Sequence, residues 1–301
     1  MRRNLHRPPC FVYLRASMGT PAISARQLFT REAQQPERDL DLALAALLVA
    51  KEQYPGLAVE QYLARLDQLA EEVKDRLADE TAPLVVLDEL TRTLYERHSF
   101  QGNRDAYYDP RNSFLNDVLD RRLGIPLTLG IVLLEVGWRL RLPLEGVNFP
   151  HHFLIRFHGD AMDLLIDPFD GGRARYEDQA QELLDRVYGG KVRLQESFLR
   201  RAGKRDILVR LLTNLKRIFV EARDHARALA VVERILILRP EAAVEHRARA
   251  VLLARTGRRR DAIDQLRRWI ASAGAGEEAE RAARLIERLE RGADPDTAEL
   301  G

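Results

Sequence analysis

The sequence predicts a chain in two parts: a mostly helical α+β part with a small antiparallel sheet, then an all-α part built from helix pairs. Three observations carry this prediction. They are apolar residues at helical spacing, one pair of apolar segments that indicates a β-hairpin, and a change of period after about residue 200. A length of 301 residues also suggests about two domains. We place the domains at residues 38–200 and 204–292.

The first 36 residues differ in composition from the rest of the chain. They are rich in arginine, poor in acidic residues and interrupted by prolines, and they show no apolar segment with a cleavage site, so no secretory signal is predicted. We interpret residues 1–36 as a disordered tail or as a misassigned start, with Met18 as the true first residue.

The overall composition excludes several classes of function. A net charge of +2 gives no reason to expect nucleic acid or an anionic membrane as partner. Cys10 is the only cysteine, so neither an intrachain disulfide nor a cluster of thiolate metal ligands can form. No apolar run approaches the ~20 residues of a membrane span. We expect a cytoplasmic protein with no membrane segment and no cofactor.

Helical spacing of apolar residues predicts five helices in the first part. They cover residues 40–50, 59–73, 84–94, 114–122 and 127–140. Asn112 or Ser113 could cap the fourth helix at its start and Gly124 at its end. Pro126 suits the first position of the fifth helix, where its missing N–H costs nothing. That helix is apolar nearly all round, so we expect it at the centre of the domain.

A β-hairpin is predicted after this central helix. Residues 153–157 alternate in polarity, residues 162–166 form a second apolar run, and the Gly159-Asp160 pair between them favours a two-residue turn. In that register His158 faces Ala161, and His152 lies directly opposite Asp167, with Cβ atoms roughly 4.5–5.5 Å apart. A carboxylate beside an imidazole suits the base and orienting group of a catalytic triad. Spacing alone favours a simpler interpretation, a polar cross-strand pair that supports the sheet.

Several motifs in this region occur in an order that resembles a known family. They are residues 112–116, 122–126, 146–150, 152–154 and 167–169. Together they resemble the SirB-type family, in which a transglutaminase-like, papain-type domain precedes tetratricopeptide repeats. The resemblance covers about residues 38–290. His151 stands where that family usually has glycine.

The resemblance implies a catalytic site that has lost its nucleophile. Active members of the wider superfamily carry a cysteine at the start of the buried helix, followed by a histidine and an aspartate on successive strands. These positions correspond to Pro126, His152 and Asp167 here. A thiolate would be stabilised at a helix N-terminus, but proline supplies none. Thr128 is the nearest hydroxyl and the alternative nucleophile.

The second part shows a repeat of 34 residues, in which Ala228-Leu229 recurs as Ala262-Ile263. This is the tetratricopeptide period. It predicts the helix pairs 206–221 with 225–238 and 242–256 with 259–272, closed by a helix over 277–291. Two repeats are few for independent stability, so we expect them to pack against the first domain.

Three hypotheses about function follow. The preferred one is a non-catalytic, regulatory scaffold that binds a protein or peptide through its repeats and its relict cleft. The second is a hydrolase or acyl transferase that uses Thr128 with His152 and Asp167, which requires Thr128 and His152 within hydrogen-bond reach. The third, a metal site from His151, His152 and Asp167, conflicts with the opposite orientation of adjacent residues on a strand.

Overall fold

The computed structural model describes residues 23–159, 163–176, 179–293 and 300. Within them the chain forms twelve α-helices, numbered in chain order. They are α1 Ala25–Ala33, α2 Leu42–Gln53, α3 Val59–Leu77, α4 Pro83–Thr91, α5 Leu115–Arg121, α6 Pro126–Arg139, α7 Ala180–Tyr188, α8 Lys204–Glu221, α9 His225–Leu238, α10 Ala243–Arg255, α11 Arg259–Ala273 and α12 Glu277–Glu290.

The described residues also form seven short strands. They are β1 Gln101–Gly102, β2 Leu123–Gly124, β3 Leu144–Val147, β4 Leu154–His158, β5 Asp163–Asp167, β6 Arg173–Arg175 and β7 Arg201–Ala202. Five of them form the predicted antiparallel sheet in the order β6-β5-β4-β3-β7. The other two, β1 and β2, pair in parallel, which the sequence pattern did not predict.

The predicted hairpin is present, but its register differs by two residues. Ile155 pairs with Ile166 and His158 with Asp163, so the connection spans four residues rather than two. Asp160 and Ala161 of the predicted turn lie outside the described residues. The observed register places the fully buried Ile155 and Ile166 opposite each other. Because the shift is an even number, every side chain keeps its predicted face of the sheet.

The central helix α6 begins at Pro126, as predicted, and all its residues up to Gly137 are buried. Two glycines let the sheet approach closely, since a Cβ at Gly130 would meet the Phe153 ring at 2.6 Å and one at Gly137 would meet Leu144 at 2.3 Å. Both faces of the sheet are covered. Phe153, Ile155 and Phe157 join the main core, whereas Leu154 and Leu165 pack with α7 in a smaller one.

Helix α5 differs from its prediction at both ends. Phe114 is its N-cap residue, and no side chain caps the helix there. At the other end the left-handed residue is Arg122, with φ +58°, rather than a glycine. Gly124 instead lies in β2, where it pairs with Gly102. Asn112 is fully buried and donates to the backbone oxygens of Ala106 and Tyr107 at 2.7 and 3.1 Å, so it fixes the preceding loop rather than the helix.

The prediction of a disordered tail is wrong for residues 25–33, which form α1. The alternative, a start at Met18, stays a prediction, since α1 follows Met18 in the chain. Ser24 caps this helix by accepting from Gln27 N at 3.2 Å, while Ser24 N donates to Gln27 Oε1 at 2.9 Å. Phe29 is fully buried, so the helix contributes to the core. The capping box and the burial of Phe29 stabilise a helix here, although the arginine-rich composition suggests disorder. Residues 1–22, including Cys10 and Met18, lie outside the described residues.

Helices α8 to α12 match the predicted pairs and the closing helix to within a few residues. As expected, the repeat helices pack against the first part of the chain. Leu208, Leu211 and Leu215 of α8 belong to the same hydrophobic core as the central helix α6. Polar contacts add to this packing, because Lys204 Nζ donates to Leu40 O at 2.6 Å and Arg205 pairs with Glu37 at 3.1 Å. The two parts therefore share one core.

Candidate functional site

The candidate site consists of residues at the start of α6, in the turn before β4 and at the end of β5. Pro126 occupies the first position of α6 and is buried. It stands at the position that the resemblance assigns to the nucleophile, and its ring carries no group that could attack a carbonyl.

His152 and Asp167 are in contact. His152 Nε2 lies 2.8 Å from Asp167 Oδ1. The His152 side chain is 16% exposed and that of Asp167 is 3% exposed, so the pair meets solvent on the histidine side only. His152 precedes β4 in a turn that its own N–H closes onto Phe149 O at 3.0 Å, whereas Asp167 ends β5. The predicted contact between His152 and Asp167 is therefore present, although the strand register from which it was predicted is wrong by two residues.

The same carboxylate oxygen of Asp167 accepts two backbone hydrogen bonds, from Phe169 N at 3.0 Å and Asp170 N at 3.2 Å. Burial by itself raises the pKa of Asp167. The hydrogen bond and charge of His152, together with these two amides, outweigh burial and hold that pKa below its usual range. Asp167 is therefore an ionised acceptor that fixes the orientation of the imidazole, the arrangement found in a base with its orienting carboxylate.

The hydroxyl of Thr128 is engaged elsewhere. Thr128 is fully buried, and its Oγ1 donates to Asn112 O at 2.7 Å and accepts from Ile125 N at 3.1 Å. A threonine has one hydroxyl proton, and here the backbone accepts it rather than an imidazole. Among the described residues, Thr128 makes no hydrogen bond to His152. The Thr128 alternative therefore lacks the contact that it requires.

His151 does not join its neighbour at the site. Its φ is +54°, in the left-handed region, which explains why a glycine suits this position in the family that the sequence resembles. Its ring packs edge-on against Tyr188 of α7 at 5.5 Å between centroids. No group of three or more His, Cys, Asp or Glu side chains that could hold a metal ion occurs in the described part of the chain.

Tyr95 was missed by the sequence analysis. It lies in a π-helical turn, Arg92–Arg97, that continues α4, and its ring packs against Gly172 just beyond Asp167. Its hydroxyl is buried and has no hydrogen-bond partner within the described ranges. Burial, and then the negative charge of Asp167, raises the pKa of the phenol. Helical spacing cannot reveal a π-turn, although such turns are frequent at functional sites.

Phe169 forms the outer wall of the site. Its ring lies 6.2 Å from the His152 ring and 6.0 Å from the Tyr107 ring, edge-on in both cases. Gly102 allows this placement, since a Cβ there would meet the Phe169 ring at 2.4 Å. The parallel β1–β2 pair thus has a direct effect on the site, because it brings Gly102 under the ring.

Comparison with known proteins agrees with this architecture. A sequence profile of the transglutaminase-like superfamily matches residues 60–213, and a tetratricopeptide-repeat profile matches residues 215–287. These matches confirm the fold class that the sequence predicts. The boundary between them falls inside α8.

Curated relatives extend the comparison. A UPF0162 protein of Xylella fastidiosa is 34% identical over 246 residues, which cover 81% of this chain and 88% of that protein. A UPF0162 protein of Pseudomonas aeruginosa is 37% identical over 220 residues, 73% of this chain and 79% of that protein. F-box only protein 21 of Homo sapiens is 42% identical over 85 residues, 28% of this chain and 14% of that protein. No solved structure matches the chain.

Among the described residues, none of the helices combines the length and the apolar character that crossing a membrane requires.

Proposed function

This chain belongs to the family of UPF0162 proteins, with a transglutaminase-like domain followed by tetratricopeptide repeats, and from that premise we propose that it is a non-catalytic scaffold. In this proposal it binds a protein partner through its repeats and through the cleft at His152. Tetratricopeptide repeats stack helix pairs into concave surfaces that bind other proteins, which supports the proposal. The regulatory role, the cytoplasmic location and the kinship with the SirB-type family are further parts of the same proposal.

One observation carries the non-catalytic part. The position at the start of α6 holds the Pro126 ring, while the His152–Asp167 hydrogen bond is intact at 2.8 Å. An imidazole oriented by a carboxylate can accept a proton, but acyl transfer of this type also needs a nucleophile beside it. The neighbouring Thr128 hydroxyl donates to Asn112 O instead, so the geometry does not favour the hydrolase alternative.

A turnover assay tests the absence of catalysis. Purified protein would be incubated with an activated ester and, separately, with a glutamine peptide and an amine acceptor, beside a His152→Ala variant. We expect both proteins to release product at the same background rate. Turnover by the wild type that disappears in His152→Ala, with unchanged circular dichroism, would refute the proposal.

A capture experiment tests the role of the repeats. Deleting residues 204–301 is not a suitable test, because α8 supplies part of the shared core. Point substitutions are cleaner. Val244 on α10 is 42% exposed and Val85 on α4 is 45% exposed, and each lies in the first turn of its helix. We expect Val244→Asp to reduce capture of partner proteins and Val85→Asp to leave it unchanged. Equal capture by both variants and the wild type would contradict a role for this face of the repeats.

A further inference from the structure

A rim of arginine and aromatic side chains lies beside the His152–Asp167 pair. Its six members are Arg104, Tyr107, Tyr108, Phe169, Arg210 and Arg217, and we call them the arginine–aromatic rim. The rings follow one another without a gap, since Phe169 lies 6.0 Å from Tyr107 and Tyr107 lies 5.3 Å from Tyr108. Two of the arginines belong to α8, so the rim spans the junction between the two domains.

Each arginine of the rim lies over an aromatic ring. The guanidinium carbon of Arg104 is 4.7 Å from the Phe169 centroid, and that of Arg217 is 4.6 Å from the Tyr108 centroid. Tyr108 is 57% exposed and the Arg217 side chain 50% exposed, so this part of the rim is open to solvent. A guanidinium group over a ring uses its face for the cation–π contact and can still donate N–H groups to a ligand.

Arg210 is the innermost arginine, and its partners are neutral. Its Nη1 donates to Asn148 Oδ1 at 3.2 Å and to Phe149 O at 3.4 Å. No carboxylate of the described residues lies within 4.0 Å of it. Burial lowers the pKa of the Arg210 guanidinium. The outer two arginines have only distant carboxylates, with Arg217 3.9 Å from Glu221 and Arg104 3.9 Å from Asp170.

Other basic residues of α8 are paired more closely. Arg205 contacts Glu37 at 3.1 Å, and Lys216 contacts Glu245 at 2.8 Å with only 5% of its side chain exposed. On the side of the rim the counter-charges are weaker. Among the described residues Arg210 has no carboxylate within 4.0 Å, and Arg217 has Glu221 at 3.9 Å. A partly buried arginine of this kind gains most from an added carboxylate.

The spacing of the two arginines on α8 defines the ligand further. Arg210 and Arg217 are seven residues apart, about two turns, so they lie on one face about 10 Å apart along the helix axis. In an extended peptide, residues three positions apart are separated by about 10 Å as well. Two acidic residues at that interval could meet both arginines, with the side chains between them lying on the rings.

We propose that the arginine–aromatic rim binds an extended acidic segment of the partner protein, with carboxylates three residues apart contacting Arg210 and Arg217. This inference rests on the proposed function and names the chemistry of the partner. Nucleic acid fits less well. The chain has a net charge of only +2, and Asp170 and Glu221 lie beside the outer arginines, where they would repel a continuous phosphate backbone.

Fluorescence anisotropy with labelled decapeptides tests the inference. The first probe carries two glutamates three residues apart in a glycine–serine background. A second has the glutamates adjacent, a third has glutamines in their place, and a fourth probe is single-stranded deoxythymidine decamer. We expect the full-length protein to bind the first probe most tightly and to bind it less well as salt is raised.

Arginine variants then locate the site. Arg210→Gln and Arg217→Gln should each weaken binding of the first probe about tenfold, the effect of losing one charge-assisted hydrogen bond. Arg284→Gln on α12 is the matched control, because its side chain is 63% exposed and the charge change is the same. We expect this variant to bind like the wild type. Circular dichroism and thermal unfolding of all three establish that they fold.

Three results would overturn the inference: no binding of the first probe by the folded wild type, equal binding of the spaced and adjacent probes, or tighter binding of the DNA. The outcome is separable from that of the capture experiment. If Val244→Asp abolishes capture while no acidic probe binds, the scaffold proposal stands and the rim proposal fails. If the probe binds through Arg210 and Arg217 while Val244→Asp captures partners as the wild type does, the rim proposal stands and the role of the exposed face of α10 fails.

Discussion

A cluster of charges joins α1 and α2 to the repeat helix α9, and it gives a stability prediction that can be worked out from the structure. Arg234 on α9 is 2% exposed and lies against the Glu52 carboxylate of α2. Its hydrogen bond goes to Ala230 O at 3.1 Å. Arg26 of α1 also contacts Glu52, at 2.7 Å. Burial, and then the nearby charge of Arg26, lowers the pKa of Arg234 to about 9.

Glu52→Gln removes the negative charge that faces both arginines. Breaking a buried ion pair from one side costs about 3–5 kcal/mol, because the other charge stays buried without compensation. Glu52 is 32% exposed, so we take the lower value, about 3 kcal/mol. For a chain of 301 residues that corresponds to a fall in Tm of about 5 °C. Differential scanning calorimetry and urea unfolding would measure both quantities.

Arg234→Met provides the decisive comparison. It removes the buried charge and fills the space with an apolar side chain, so we expect a change of less than about 1 kcal/mol in either direction. Glu71→Gln serves as a surface control, since Glu71 is 65% exposed in its pair with Lys74, and it should cost at most about 1 kcal/mol. If Arg234→Met proves as destabilising as Glu52→Gln, the argument that the buried charge is itself unfavourable is refuted.

Three further predictions concern the site. Asp167→Asn should lower the free energy of unfolding at pH 7 by about 2 kcal/mol, because a charge-assisted hydrogen bond is lost. Because the pKa of Asp167 is lowered in the folded state, the ionised carboxylate stabilises the protein fully at pH values above the unfolded pKa near 3.8. This stabilisation is lost as the pH falls through the folded pKa. The difference in unfolding free energy between the wild type and Asp167→Asn should therefore shrink in acid. Tyr95→Phe should leave stability unchanged or raise it by about 1 kcal/mol, since it removes an unpartnered hydroxyl. His151→Gly should stabilise by about 0.5–1 kcal/mol by relieving a left-handed φ of +54°. Urea unfolding measures all three, with the first followed from pH 7 to pH 3.

Each of these has a result that would contradict it. A constant gap between wild type and Asp167→Asn down to pH 3 would mean that the stabilisation does not come from the ionised carboxylate. A loss of more than about 1 kcal/mol in Tyr95→Phe would show that the hydroxyl has a partner. For His151→Gly the matched control is the reverse change, Gly171→Ala, at φ +66° with open space around it. That change should destabilise by about 1 kcal/mol, and the opposite sign for either variant would refute the backbone argument.

Much of the fold could be read from the sequence because local rules decide it. Pro126 marks the start of α6, and the 34-residue repeat places helix pairs that the structure reproduces. The contact between His152 and Asp167 was also predicted, although His152 makes it from the turn before β4 rather than from a cross-strand pair. The domain limits at residues 38–200 and 204–292 stay predictions. Helix α8 packs in the core of the first part and also begins the repeats, so the two domains have no sharp boundary.

Long-range contacts explain what the sequence did not reveal. Nothing near residue 25 shows that α1 packs on a helix that begins at His225. The π-turn at Tyr95 was not predicted, because the local spacing of apolar residues carries no sign of it. The arginine–aromatic rim was missed for the same reason, since Arg210 and Tyr107 are far apart in sequence and become neighbours only when α8 packs against the first domain.

The placement of α1 has a consequence for folding during synthesis. Arg26 contacts Glu233, a residue 207 positions later in the chain. Ribosomes add roughly 5–20 residues per second, so α9 is completed about 10–40 s after α1. During that time α1 can pack on α2, the helix that follows it directly, but its contacts with the repeats are missing. The ion pair that joins the N-terminal helix to the repeats therefore forms only after the first repeat has been translated.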